Sequence, residues 1–227
     1  MLPALIFFLI RRYKRHHPES RTRLIHIISK FGKPVLLVLL FIVISLLAFS
    51  QNKKLEYQVK RKGDVVGNIV FTQYSSGNKT TMKMQTEIKT RFIFLFTAKA
   101  LEETIYENGI MIWSFIHRKL NGNEKANKKT EASGSSYIVS SGDDKQVMKN
   151  YPIRYNMLSL YVYEPINFSM VYSDNFQAFL IIQKIAPHHY KIKLPDGNYN
   201  EYFYNNGVCT KVEVNHSLYS ATIELKK

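Results

Sequence analysis

The stretch YKIKLPDGNYNEYFYNNGVCTKVEV, residues 190–214, decides the fold class. Tyr190, Ile192 and Leu194 alternate with Lys191 and Lys193, the period-2 pattern of a strand with one dry and one wet face. Pro195-Asp196-Gly197-Asn198 turns the chain, residues 199–204 return, and Asn205-Asn206-Gly207 turns it again. Val208, Val212 and Val214 then share a strand with Lys211 and Glu213, and simple alternation places Cys209 opposite the valines. A last strand carries Ala221, Ile223 and Leu225 on one side and Thr222, Glu224 and Lys226 on the other. Strands joined by such tight turns run antiparallel.

The same reading extends upstream. Leu55, Tyr57 and Val59 alternate with Glu56, Gln58 and Lys60, Lys62-Gly63-Asp64 turns, and residues 65–74 form the partner, with Gly67 marking a bulge. From residue 80 to 98 one face reads Thr80, Met82, Met84, Thr86, Ile88, Thr90, Phe92, Phe94, Phe96, Ala98, with Lys89 on the wet side and a bend expected near 91–92. Ile93 and Leu95 make the following piece apolar on both faces, as in a strand buried on both sides. Asn108-Gly109 and Asn121-Gly122 are hairpin signals around a strand at 110–120. Residues 124–136 read as a strand edge or exposed loop, two short strands flank Ser141-Gly142-Asp143-Asp144, and residues 157–163 suit a short helix or a buried strand. No repeated amphipathic helices are present to cover a parallel sheet. The expectation is an all-β antiparallel meander of ten to twelve strands, forming a strongly curved sheet or open barrel over residues 51–227.

Residues 1–50 differ in kind. Residues 35–49, VLLVLLFIVISLLAF, carry no charge and follow Lys30 and Lys33. Fifteen residues fall short of the roughly 20 that span hydrocarbon comfortably, and Ala48 and Ser50 offer the small side chains that a signal peptidase reads. Residues 34–50 are therefore expected to be a signal peptide, cleaved before Gln51, or a short membrane anchor helix. Residues 1–33 are a basic leader whose length suggests a start assigned too early. Both alternatives place the β domain beyond the membrane, in a periplasm or cell envelope.

With 45% hydrophobic residues and 22% charged ones, the chain has material for a core. The formal net charge is +15, but residues 1–50 hold eight basic residues and one acid, so the remainder carries 24 basic against 16 acidic, or +8. That excess is scattered on alternating positions, so no nucleic-acid partner is expected. Cys209 stands alone, which excludes an intrachain disulfide and reads as a buried structural thiol.

The chemistry-bearing motifs are few. His188 and His189 are adjacent and point to opposite faces of a strand, and His117 and His216 lie far off in sequence, so no metal site is expected. No nucleophile elbow, phosphate loop or dinucleotide fingerprint is present. Asp143-Asp144 and Asp196-Gly197-Asn198 read as turn chemistry, and the sequons at Asn78, Asn167 and Asn215 matter only in a glycosylating pathway. No catalytic, cofactor-binding or metal-binding residue is assigned, and no cofactor is expected. The 15 tyrosines, dense at 199–204, suit either cross-strand packing or the rim of a ligand cavity.

Tyr57-Gln58-Val59-Lys60 with Gly63, Val66-Gly67-Asn68-Ile69, Leu160-Tyr161 with Glu164-Pro165, Val171-Tyr172-Ser173, Leu194-Pro195-Asp196-Gly197-Asn198, Tyr202 and Tyr204-Asn205-Asn206-Gly207 together resemble a family of uncharacterised exported β-rich proteins of Bacteroidetes-type bacteria. The resemblance covers about residues 54–226, and the 1–29 leader departs from it. It implies an envelope setting and a β fold and transfers no catalytic residue. Three functional expectations follow: a non-catalytic carrier or binder of a lipid or other amphipathic ligand, a structural or adaptor domain for another envelope protein, and a hydrolase without a local motif.

Overall fold

The structure, a computed structural model, describes residues 52–91, 95–149, 152–217 and 219–226. The expected leader at 1–33, the signal or anchor helix at 34–50 and the cleavage before Gln51 lie outside these residues, as do Phe92, Ile93 and Phe94. Among the described residues no helix is long and apolar enough to cross a membrane.

The strands are β1 (Lys53–Arg61), β2 (Asp64–Ser76), β3 (Lys79–Arg91), β4 (Leu95–Glu107), β5 (Ile110–Leu120), β6 (Asn123–Ser133), β7 (Ser136–Ser141), β8 (Asp144–Lys149), β9 (Met170–Ser173), β10 (Ala178–Ala186), β11 (His189–Lys193), β12 (Tyr199–Asn205), β13 (Val208–His216) and β14 (Tyr219–Leu225). They form one 14-stranded antiparallel sheet in the order β8-β7-β6-β5-β4-β3-β2-β1-β14-β13-β12-β11-β10-β9. The all-β antiparallel reading of the sequence holds, with fourteen strands in place of the ten to twelve expected. The architecture is two meanders rather than one, β1 to β8 and β9 to β14, sewn together where Tyr57 faces Leu225 and Val59 faces Ile223.

Several local readings need correction. The 80–98 run is not one bent strand: the chain reverses, and Arg91 at the end of β3 faces Leu95 at the start of β4. Leu95 is 52% exposed, so the two-sided apolar character there does not mean burial on both sides. Residues 124–136 are mostly the strand β6, whose inward Ala126 and Thr130 are too small or polar to mark the buried face by hydrophobicity. The β9–β10 hairpin is the part the sequence hides, because the exposed Ile181 and Ile185 on β10 are as apolar as the buried Leu180 and Ile182, so no alternation marks the buried face. Residues 157–163 hold only a 3-10 turn, Ser159–Tyr161.

The hairpin turns fall where their residue types place them. Asn108 and Gly109 have φ of 51° and 74°, the left-handed pair that a type I′ turn requires. Gly67 acts differently: it sits at the β1–β2 register shift, and a Cβ there would lie 2.8 Å from the Ile88 Cα. Its missing side chain lets β2 and β3 approach closely where the sheet curls.

Antiparallel order puts the turns after β1, β3, β5, β9, β11 and β13 at one end of the curled sheet, here called the mouth, and those after β2, β4, β10 and β12 at the other, the base. The ladder does not close. Instead the curl brings the β9–β10 turn against β5, β6 and β7 through side chains: Gln177 Nε2 donates to the Lys129 and Ser140 carbonyls at 3.1 and 2.9 Å, and Lys128 Nζ donates to the Asn175 carbonyl at 2.6 Å.

The interior is filled unevenly. Residues 152–166 enter the sheet's concave side and bury Ile153, Leu158, Leu160 and Val162 against Tyr57, Phe71, Tyr202 and Tyr204. This strap is irregular, so its backbone must find partners one by one. Met111 N donates to the Ile153 carbonyl at 2.7 Å, Tyr204 OH donates to that of Leu160 at 2.9 Å, and Glu164 N donates to that of Gly207 at 3.1 Å. The last of these contacts lies at the base, so the strap plugs that end.

Candidate functional site

Inward positions toward the mouth carry small side chains: Thr86 and Thr90 on β3, Ala98 and Ala100 on β4, Val66 and Ala221 on β2 and β14. They cannot meet across the curled sheet, and a cavity of about 760 Å³ remains, running to the rim at Arg61, Leu120, Asp196, His216 and Tyr219. Ligand pockets span about 300–1,000 Å³, which makes this hollow the candidate site. Most of its wall is apolar, with Met84, Ile88, Ile116, Phe176, Tyr161 and Tyr202 toward its depth.

One strip of the wall is charged. Alternation along β4 turns Ala98, Ala100, Glu102 and Thr104 inward, and along β5 it turns Ser114, Ile116, Arg118 and Leu120 inward. Ala100 faces Arg118 directly across the ladder, so a methyl group leaves room for the guanidinium. Arg118 Nη2 lies 3.9 Å from Glu102 Oε1, an ion pair without a hydrogen bond, with the side chains 36% and 14% exposed. Burial pushes the Glu102 carboxyl up, against the opposing charge of Arg118.

Asp174, at the β9–β10 turn, is the second buried carboxylate of the wall. Burial pushes it up to about 7, with the charge of Glu102 adding to the effect and hydrogen bonds from Ser114 and Asn156 opposing it. Ser114 Oγ donates to its Oδ1, and Asn156 Nδ2 donates to its Oδ2 at 3.0 Å and to Thr104 Oγ1 at 2.8 Å. Tyr106 OH donates to Asn156 Oδ1 at 3.0 Å, and Ser159 Oγ also donates to that oxygen at 3.0 Å. This network ties the strap to β4, β5 and β9 and uses both Asp174 oxygens. It anchors the plug under the cavity floor.

The residues singled out from the sequence fall elsewhere. His188 Nδ1 lies 3.0 Å from Glu164 Oε2, and His189 Nε2 lies 2.8 Å from Glu201 Oε2, so the adjacent histidines serve separate carboxylates. His117 pairs with Glu124 at 2.9 Å, and His216 stacks on Tyr219 at the mouth with ring centroids 4.7 Å apart. Among the described residues no three His, Cys, Asp or Glu side chains are grouped to hold a metal ion. Asp196 does form the expected turn, accepting from Asn198 N at 3.1 Å.

Two readings are corrected. Cys209 is not opposite Val212: a bulge pairs Phe203 with Lys211 but Tyr204 with Cys209, and both Cys209 and Val212 point inward. Burial pushes the Cys209 thiol up to about 12, as suits a structural cysteine. The tyrosines of β12 do not ring the mouth. Tyr204 is buried against the strap at the base, and Tyr202 lies in the cavity wall at 2% exposure. Glu102, Arg118 and Asp174 are the charged residues of the cavity wall that the sequence reading did not single out. The signal for the first two was present: a charge at an inward position in a strand whose other inward residues are apolar or small.

Comparison with protein families decides membership. A family model for a domain of unknown function, DUF6134, matches residues 57–226. The chain belongs to that family. The DUF6134 match begins in β1 and ends after β14, so it takes in both meanders and the strap between them. No curated protein matches the chain. Among solved structures, it is similar to the crystal structure of a beta-barrel-like protein of domain of unknown function DUF1849 from Brucella abortus. The identity is 10%, the match covers 79% of this chain and 96% of that one, and the TM-score is 0.48.

Proposed function

We propose that this domain is a non-catalytic carrier that holds an amphipathic ligand in the mouth half of its curled sheet, and that it works beyond the cytoplasmic membrane, delivered there by residues 34–50. The observation that carries the reading is the hollow itself. The base of the interior is packed by the strap and the large tyrosines, while the mouth end, where Thr86, Thr90, Ala98, Ala100, Val66 and Ala221 stand at inward positions, stays open to about 760 Å³. A fold that needed only stability would gain by filling that space, since each buried methylene contributes about 0.8 kcal/mol. An acyl chain supplies the missing methylenes.

Native mass spectrometry of the full chain, gently extracted from envelope membranes, tests this. The expected result is an adduct mass that disappears in Ala98→Trp, whose indole fills the cavity from the wall, with the thermal midpoint of the protein retained. A ligand-free spectrum of the unsubstituted protein overturns the carrier reading in favour of the adaptor domain, which needs no cavity. One observation favours a second reading: Glu102 and Asp174 are carboxylates raised by burial on a common wall, as an acid–base pair of a hydrolase would be. Both Asp174 oxygens are engaged by Ser114 and Asn156, which speaks for a structural role. An adduct recovered as cleaved product rather than intact ligand would reverse that judgement.

A further inference from the structure

Resting on the carrier reading, we propose that the ligand is acid-headed, a carboxylate or phosphate on a hydrocarbon chain, and that Arg118 receives the acid inside the cavity.

Arg118 is a guanidinium on a mostly apolar wall, 36% exposed to the cavity's solvent, so it attracts negative charge that enters the cavity. Its carboxylate neighbour on that wall is Glu102, at 3.9 Å, too far for the two-pronged pairing that arginine makes with an oxyacid. Burial moves Glu102 toward its neutral form, which further weakens its grip on the cation. Asp174 does not make up the deficit, because Ser114 and Asn156 take both of its oxygens and burial favours its neutral form as well. Arg118 therefore presents donors to the cavity without a well-seated acceptor among these two carboxylates.

Geometry also makes room for the head group. Arg118 and Leu120 stand on β5 opposite Ala100 and Ala98, so the strip between the guanidinium and the rim is lined by methyl groups and one leucine. An oxyacid thus fits on the fork of Arg118, with its chain following the apolar wall past Ile116, Met84 and Tyr202. Arg61 at the rim adds positive charge along the entry. A neutral amphiphile would leave that strip unmatched.

The test compares three ligands of equal chain length, palmitic acid, hexadecyl phosphate and hexadecanol, on the full chain by displacement of a fluorescent fatty-acid probe. The unsubstituted protein is expected to bind the two acids at least tenfold more tightly than the alcohol. Arg118→Gln is expected to lower both acid affinities to that of the alcohol, and Arg118→Lys to restore part of the preference. The circular dichroism spectrum and thermal midpoint of the parent, kept by Arg118→Gln, report that the variant is folded. Equal affinity for acid and alcohol in the unsubstituted protein, or an acid preference that survives Arg118→Gln, overturns the role of Arg118 and leaves the carrier reading standing. Failure to bind any of the three overturns the carrier reading and this inference with it.

Discussion

At the scale of single residues, the informative feature is charge where the pattern calls for none. Asp174 has a carboxyl at about 7 in the fold, against an ordinary value of 3.8, so the native state keeps a proton that the unfolded chain releases. The group's stabilising contribution is complete below the lower value and is lost as pH rises through the higher one. Asp174→Asn is therefore expected to flatten the fall in thermal midpoint between about pH 4 and pH 7. Glu102, raised in the same direction, accounts for the slope that remains. A slope unchanged by the substitution would mean that Asp174 titrates alike in both states. Glu102 and Arg118 were legible as exceptions within strands β4 and β5, whereas Asp174 was not, since an acid in a turn is ordinary surface chemistry until the turn is folded inward. Cys209 shows the same limit: alternation gives the wrong face because one extra residue, Thr210, enters the ladder between its neighbours.

At the scale of elements, tight hairpins were legible because their turns need left-handed backbone that Asn-Gly supplies, and β5 appears at the residues expected of it. The strap and the β9–β10 hairpin were not. A strap is held by side chains that come from distant strands, and nothing in residues 152–166 announces that Tyr57, Tyr106, Tyr137 and Tyr204 will satisfy it. Its weight in the fold can be measured. Leu160, fully buried in the strap, is expected to cost about 2–5 kcal/mol when cut to alanine, whereas Val147→Ala on the edge strand β8, 64% exposed, should stay within about 0.5 kcal/mol of the parent. Chemical denaturation of the two variants checks this. Because the strap fills the base and not the mouth, folded Leu160→Ala should keep the ligand affinity of the parent. A small effect at Leu160 would show that the base half tolerates loss of its plug.

At the scale of the whole molecule, every ladder but one joins strands that are neighbours in sequence, and the exception is β1 with β14. Deleting residues 219–227 removes that seam and separates the two meanders, so a single cooperative unfolding transition is expected to be lost, as followed by circular dichroism. A truncated chain that still unfolded in one step would show that the contacts through the strap and the β9–β10 turn suffice. The seam has one more consequence. If the end of β14 were tied to the start of β1 and the chain opened between β8 and the strap, the strand order would run β9 to β14 and then β1 to β8, each strand beside its successor. The fold is thus a circular permutation of a simple up-and-down meander. Such a permutant trades the β1–β14 pairing of distant segments for another hairpin, and it should reach the same sheet faster, as stopped-flow refolding would read.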